Sequence, residues 1–295
     1  VDRATMGCRP YRIKVPVVDL GFAERVVAIS AGSQHSMALT VSGYLWMWGK
    51  DHHAWNRRFP NLRTHDLPYP VYIGINYLPW TRARLRAASS RVVAISAGRG
   101  YSLAVTASGA VWSWGLGTDG VLGHGDEQWQ HLPKRIEALV GKVVVTVSAG
   151  RHNAIAVTED GELWSWGKNT PVLGTKEASK SDSNYLAPTK ITRTYWSWLK
   201  LVERELKEKM VAVSVGSQHA LALTESGVVF SWGLNHFGEL GHSFGNYDLP
   251  KAVAENVVAV SAGNRNSLLV TASGKVLHWG KTDHKIRRPL EDPNW

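Results

Sequence analysis

Side chains able to do chemistry recur in this chain at fixed offsets behind five glycines. One position after Gly32, Gly98, Gly150, Gly216 and Gly263 stand Ser33, Arg99, Arg151, Ser217 and Asn264. Two after stand Gln34, Gly100, His152, Gln218 and Arg265, and three after stand His35, Tyr101, Asn153, His219 and Asn266. Nearly all are polar, and their types differ while the spacing holds, as a recognition face requires. A guanidinium offers a planar fork to a carboxylate or other oxyanion. Arg99, Arg151 and Arg265, with His152 and Tyr101 beside them, are therefore the candidate partner-binding residues. Others must hydrogen-bond neighbouring turns, and His35 and His219 are expected to satisfy backbone groups in this way.

Reactive chemistry finds no comparable pattern. Neither GxSxG nor HExxH occurs, and the single cysteine, Cys8, has no suggested base. Gly115-Leu116-Gly117-Thr118-Asp119-Gly120 matches GxGxxG but runs into a Gly/His/Asp-rich loop, where a dinucleotide site needs a helix. Gly280-Lys281-Thr282 ends like a phosphate-binding loop, yet the earlier glycine such a loop requires falls at Lys275, with Gly274 one residue out of register. Among the 12 histidines, His52, His53, His124 and His242 stand in polar loops without cysteine or carboxylate partners at ligand spacing. The expectation is a protein that is not an enzyme, with no catalytic residues, no cofactor and no metal.

The elements that must position the polar set repeat five times, from Arg25 to Gly49, Arg91 to Gly115, Lys142 to Gly167, Met210 to Gly233 and Asn256 to Gly280. In every copy a second glycine (Gly43, Gly109, Gly161, Gly227, Gly274) follows Ser or Asp and separates two short apolar runs. That pair predicts a tight hairpin with positive φ at glycine. The flanking runs are rich in β-branched residues and too short for stable helices, so each copy reads as a small antiparallel sheet. Runs such as Val26-Val27-Ala28-Ile29 lack polar alternation, which implies cover on both faces. Sheets arranged radially about an axis meet that demand, so the fold class is all-β and the architecture a β-propeller. Small residues such as Ala31, Ala97, Ala149 and Ala262 suit crowded inner strands. Trp48, Trp114, Trp166, Trp232 and Trp279 are expected to fill the wider gaps between blades.

Composition narrows the partners. Hydrophobic residues make up 44% and charged residues 20%, enough for a sizeable core. The longest aliphatic stretches, such as Val143 to Val147, are far shorter than the ~20 residues of a membrane helix. A lone cysteine forms no internal disulfide, so an intracellular protein is expected. The chain begins at Val1, which leaves room for a removed organelle-targeting segment. Lys and Arg number 34 against 24 Asp and Glu, a formal charge of +10 that favours acidic partners or RNA. More than half of that excess lies between Lys50 and Arg91, where eight basic residues face two acids.

A single domain over 1–295 is expected, with insertions at 50–90 and 168–209. In the first, Arg57, Arg58, Arg63, Arg82, Arg84 and Arg86 are the candidate nucleic-acid or acidic-partner contacts, because Trp55, Tyr77 and Trp80 among them can stack on bases; a solvated loop is the plainer reading. In the second, Tyr195, Trp198, Leu199, Val202 and Leu206 fall on one stripe, which predicts an amphipathic helix over 194–209. Its apolar side packs on the propeller edge or docks a partner, with Trp198, Leu199, Val202 and Leu206 as the candidate partner-helix residues.

The stretches from Ser30 to Gly49 and from Gly233 to Ser243 resemble repeats of the regulator of chromosome condensation family, as do Gly120 to Gly125 and Gly238 to His242. The resemblance covers all five copies and implies a propeller, for which the family norm is seven blades; five here mean a five-bladed ring or an open, incomplete one. Arg9 to Lys14 resembles Leu132 to Glu137 and would be an outer strand able to pair with the last copy. Known members include an exchange factor for the small GTPase Ran, domains of giant ubiquitin ligases, mitochondrial proteins linked to ribosomes and a plant UV-B photoreceptor. The photoreceptor is expected to be the least similar, because its Gly-Trp-Arg-His-Thr has no counterpart where no Trp follows the five early glycines. Five intact repeats, no catalytic constellation, concentrated positive charge and a first residue other than Met lead to the expectation of a non-catalytic protein-interaction scaffold in a multi-subunit, RNA-containing assembly such as a mitochondrial ribosome, with the matrix favoured over the nucleus. Exchange activity toward a Ran-like small GTPase is the alternative.

Overall fold

A computed structural model describes residues 24–50, 66–73, 91–174, 183–191, 209–242 and 245–281. They form five antiparallel sheets, taken in chain order as five blades. Blade one holds β1 (Val26–Ala31), β2 (His35–Thr40), β3 (Leu45–Lys50) and β4 (Asp66–Ile73); blade two holds β5 (Val92–Ala97), β6 (Tyr101–Thr106), β7 (Val111–Gly115) and β8 (Gln130–Arg135). Blade three comprises β9 (Val144–Ala149), β10 (Asn153–Thr158), β11 (Leu163–Gly167) and β12 (Tyr185–Lys190), and blade four β13 (Met210–Val215), β14 (His219–Thr224), β15 (Val229–Gly233) and β16 (Tyr247–Ala254). Blade five has three described strands, β17 (Val257–Ala262), β18 (Asn266–Thr271) and β19 (Val276–Gly280). The molecule is a five-bladed β-propeller.

Each hairpin turns where the Ser-Gly or Asp-Gly pair predicts it. Gly43, Gly109, Gly161, Gly227 and Gly274 have φ between 78° and 89°, a conformation a side chain would strain. Two stretches expected as insertions contain regular structure: β4 lies within 50–90 and β12 within 168–209. Both are outer strands. They pair on one edge only, so their sequences carry less of the repeat's periodicity. The segment 194–209 and the N-terminal stretch Arg9 to Lys14 lie outside the described residues. Among the described residues, no helix is long and apolar enough to cross a membrane.

The core is divided into four clusters, one at each junction between consecutive blades. Met37, Leu39 and Met47 pack with Trp114; Leu103, Leu122 and Ile136 with Trp166; Ile155 and Val172 with Trp232; Leu221 and Leu223 with Leu269. The wedge role expected of the tryptophans holds for Trp114, Trp166 and Trp232, which are at most 1% exposed. Two of them also tie backwards: Trp166 Nε1 donates to Val121 O (2.7 Å) and Trp232 Nε1 to Val172 O (2.8 Å) of the preceding blade. Trp279 packs half-buried at the junction of blades four and five, and Trp48 in blade one is half-buried.

A second tie repeats closer to the axis. The amide of Ala97 donates to Ser30 Oγ, Ala149 to Ser96 Oγ, Val215 to Ser148 Oγ and Ala262 to Ser214 Oγ, all at 2.8 to 2.9 Å. Each inner strand thus hands an edge amide to the blade before it. Among the described residues the junction from blade five back to blade one has neither a core cluster nor this bond, and its flanks show apolar surface: Ile29 is 80% exposed and Leu268 41%.

Removing one serine hydroxyl strands a backbone amide whose loss of pairing costs on the order of 1–3 kcal/mol. Ser96→Ala and Ser148→Ala should each lower the unfolding free energy by about 1 kcal/mol or more, read by urea denaturation. Ser261→Ala removes the equivalent hydroxyl where no following blade uses it and should change stability by less than about 0.5 kcal/mol.

Candidate functional site

The inner ends of all five blades surround an open cavity on the axis, with a volume of about 420 Å³. Its wall is made of Ala31, Ala97, Ala149, Val215 and Ala262 and of the five early glycines. At the first glycine the requirement is space: a Cβ on Gly32 would overlap the carbonyl oxygen of Gly98 in the next blade. The side chains that reach the cavity are those one position later, Ser33, Arg99, Arg151, Ser217 and Asn264. Three of them are fixed across blades, since the amides of Ser33, Arg151 and Ser217 donate to the carbonyls of Gly98, Gly216 and Gly263 at 3.2 to 3.4 Å.

Of the residues expected on the recognition face, Arg99 and Arg151 stand exposed at this rim, contributed by adjacent blades. Arg265 does not join them; its guanidinium lies over the Phe237 ring at 4.7 Å, and Lys281 approaches the same ring at 5.6 Å. His152 is half-buried and its Nδ1 pairs with Asp119 Oδ2 of blade two at 2.8 Å. Asp119 sits in the left-handed region at φ 63°, uncommon for a residue with a side chain but best accepted by Asp and Asn.

Tyr101 corrects the expectation outright. It is 1% exposed and its hydroxyl donates to Asn153 O of blade three at 2.8 Å. Burial pushes the phenol's ionisation well above its ordinary value. Aromatic bulk three residues after the glycine fills the blade junction instead of facing solvent. His35 and His219 act similarly. Each turns inward to a serine hydroxyl of the next blade, Ser102 Oγ at 2.8 Å and Ser267 Oγ at 2.9 Å, and for His219 this takes the place of the turn backbone expected of it.

Asp119, Phe237 and Lys281 escaped the sequence reading. They belong to the loops that follow each Trp-Gly, whose length varies, so their return to the axial face is not encoded in spacing. Arg57, Arg58, Arg63, Arg82, Arg84 and Arg86, and likewise Trp198, Leu199, Val202 and Leu206, lie outside the described residues. Among the described residues no group of three or more His, Cys, Asp or Glu side chains is arranged to hold a metal ion. The rim can hold an anion by charge and hydrogen bonding.

A ring of like-built sheets on one repeated backbone frame, with differing polar side chains at its rim, defines a repeat-built β-propeller. The chain belongs to the RCC1-like domain family, whose model matches residues 4–286. It is 35% identical over 74% of its length to the human E3 ubiquitin-protein ligase HERC2, covering 4% of that protein. It is 30% identical over 79% of its length to the Arabidopsis thaliana ultraviolet-B receptor UVR8, covering 46%, and 30% over 67% to the mitochondrial RCC1 domain-containing protein RUG3 of the same plant, covering 40%. The chain thus spans less than half of these relatives. By overall identity the photoreceptor is no more distant than RUG3, which corrects the expectation that it is the least similar of the known members. Among solved structures, human WBSCR16 superposes with a TM-score of 0.69 at 19% identity, and yeast RCC1 (Prp20) bound to Kap60 with 0.70 at 24%; 88% of this chain is covered in both, against 62% and 56% of those chains.

Two histidines make stability depend on pH. Ser267 Oγ donates to Glu239 O (2.7 Å), so it accepts from His219 Nε2–H and leaves Nδ1 buried without a partner among the described residues. Burial lowers His219 to about 4, and burial with the nearby Lys134 lowers His124 to about 4. In the unfolded chain both take a proton near the ordinary value of about 6.5. The unfolded state therefore binds more protons between these values, so stability is full above pH ~6.5 and falls toward pH 4. Thermal unfolding across this range should show a declining midpoint, and His219→Gln, which keeps a donor for Ser267, should flatten the decline.

Proposed function

We propose that this chain is a non-catalytic interaction scaffold that holds partners on its axial face within a larger, RNA-containing assembly. The observation that carries the scaffold reading is the combination of a backbone fixed across blades with side chains that differ from blade to blade at the rim: Ser33, Arg99, Arg151, Ser217 and Asn264. Such a face needs no acid, base or nucleophile. Contact with RNA is supported by the basic composition and by Arg82, Arg84 and Arg86 standing near Tyr77 and Trp80 in sequence. A mitochondrial assembly is the favoured setting because one relative, RUG3, is named as mitochondrial.

Affinity capture of the tagged chain from native mitochondrial extract, with and without nuclease, tests this. The expected result is a stable set of co-purifying proteins, part of which is lost after nuclease. Arg82→Glu/Arg84→Glu/Arg86→Glu should weaken the nuclease-sensitive part and flatten its salt dependence. Capture of nothing beyond background, or faster release of fluorescent nucleotide from a Ran-like GTPase on adding the purified chain, would overturn the reading.

A further inference from the structure

We infer that the axial cavity receives an extended acidic segment of a partner protein, its carboxylates gripped by Arg99 and Arg151. The inference rests on the scaffold reading and adds the chemistry of what the face holds. Two cations stand at the rim of a cavity whose lining contains no acid. Among the described residues neither guanidinium meets a carboxylate, whereas Lys142 and Lys190 elsewhere are both committed to Glu162. An anion entering here supplies the missing charge.

The shape of the lining selects the kind of anion. Glycine and alanine form the wall, so a narrow chain can approach the backbone closely. No aromatic side chain lines the cavity, which denies a nucleobase the stacking surface that single-stranded recognition uses. Guanidinium forks match carboxylates in bidentate fashion. The two arginines come from blades two and three, while Ser33, Ser217 and Asn264 come from blades one, four and five. A peptide lying across the axis thus meets charge on one side and neutral hydrogen-bonding groups, suited to its backbone, on the other. Arg265 adds no third cation because it is drawn onto Phe237.

Fluorescence anisotropy with the whole chain tests the site, using a peptide of about ten residues alternating Asp/Glu with Gly/Ser, its Asn/Gln counterpart, and an oligouridylate of equal charge. The acidic peptide should bind, the neutral one should not, and Arg99→Glu/Arg151→Glu should weaken binding at least ~10-fold. Lys209→Glu/Lys275→Glu makes the same charge change at the hairpin ends of the blades and should alter affinity by less than ~2-fold. Equal losses in the two variants would reduce the effect to net charge and overturn the site. Tighter binding of the oligouridylate would reassign the cavity to nucleic acid. Native partners still captured by Arg99→Glu/Arg151→Glu would overturn the cavity site while leaving the scaffold standing, since that reading fails only if the unaltered chain captures nothing.

Discussion

One hydrogen bond carries the architecture from blade to blade: a backbone amide at the inner edge of a sheet donates to the serine hydroxyl of the sheet before it. An inner strand is an edge strand, and its outward amides would otherwise be left to water or to another chain. Here they are used for assembly. The bond sets the axial position of each blade against its neighbour to within hydrogen-bonding tolerance, which non-directional apolar packing between flat sheets cannot do alone. The early glycine follows from that closeness, because the carbonyl of the next blade occupies the place of a Cβ.

The two ends show what the interaction does by lacking it. Blades two, three and four have middle strands buried along their whole length, because each has a neighbour on both faces. In blade five the corresponding strand is buried only in part, and Leu268 and Val276 are 41% and 44% exposed. Ser261 Oγ and the Ala31 amide are the two halves of one further joint that the described residues do not make. The stability of a stacked array is close to a sum over neighbour interfaces, and among the described residues the terminal blades have one such interface where the inner blades have two.

Most of this was legible in sequence, for reasons that differ by element. The hairpins and inner strands showed in the invariant spacing from Gly32 to Gly43 to Gly49 and its four repeats, because backbone geometry at glycine tolerates no slippage. The tryptophans showed because a blade junction widens with radius and demands a large side chain at one place. Outer strands such as β4 and β12 did not show, since one free edge relaxes the demand on their residues. Site residues were harder still. Arg99 and Arg265 carry the same group one position apart, yet one lines the cavity and the other stacks on Phe237, a choice made by a loop from the preceding blade. Tyr101 was misplaced because polarity at its hydroxyl end concealed an apolar ring that the junction buries.

Specificity on this frame is cheap to alter and its charges are cheap to keep. Arg99 and Arg151 are exposed, so holding them at the rim costs little desolvation. Their backbone is held by residues other than themselves: Gly98 and Gly150 fix the approach of the strands, and Ser96 and Ser148 fix the spacing of the blades. Exchanging a rim side chain therefore changes the chemistry of the rim without disturbing how the cavity is built. An enzyme site lacks this freedom, because the groups that react must also be the groups that are positioned. Separating the frame from the rim lets one propeller present arginine on two blades, serine on two and asparagine on one, with no change in strand register among them.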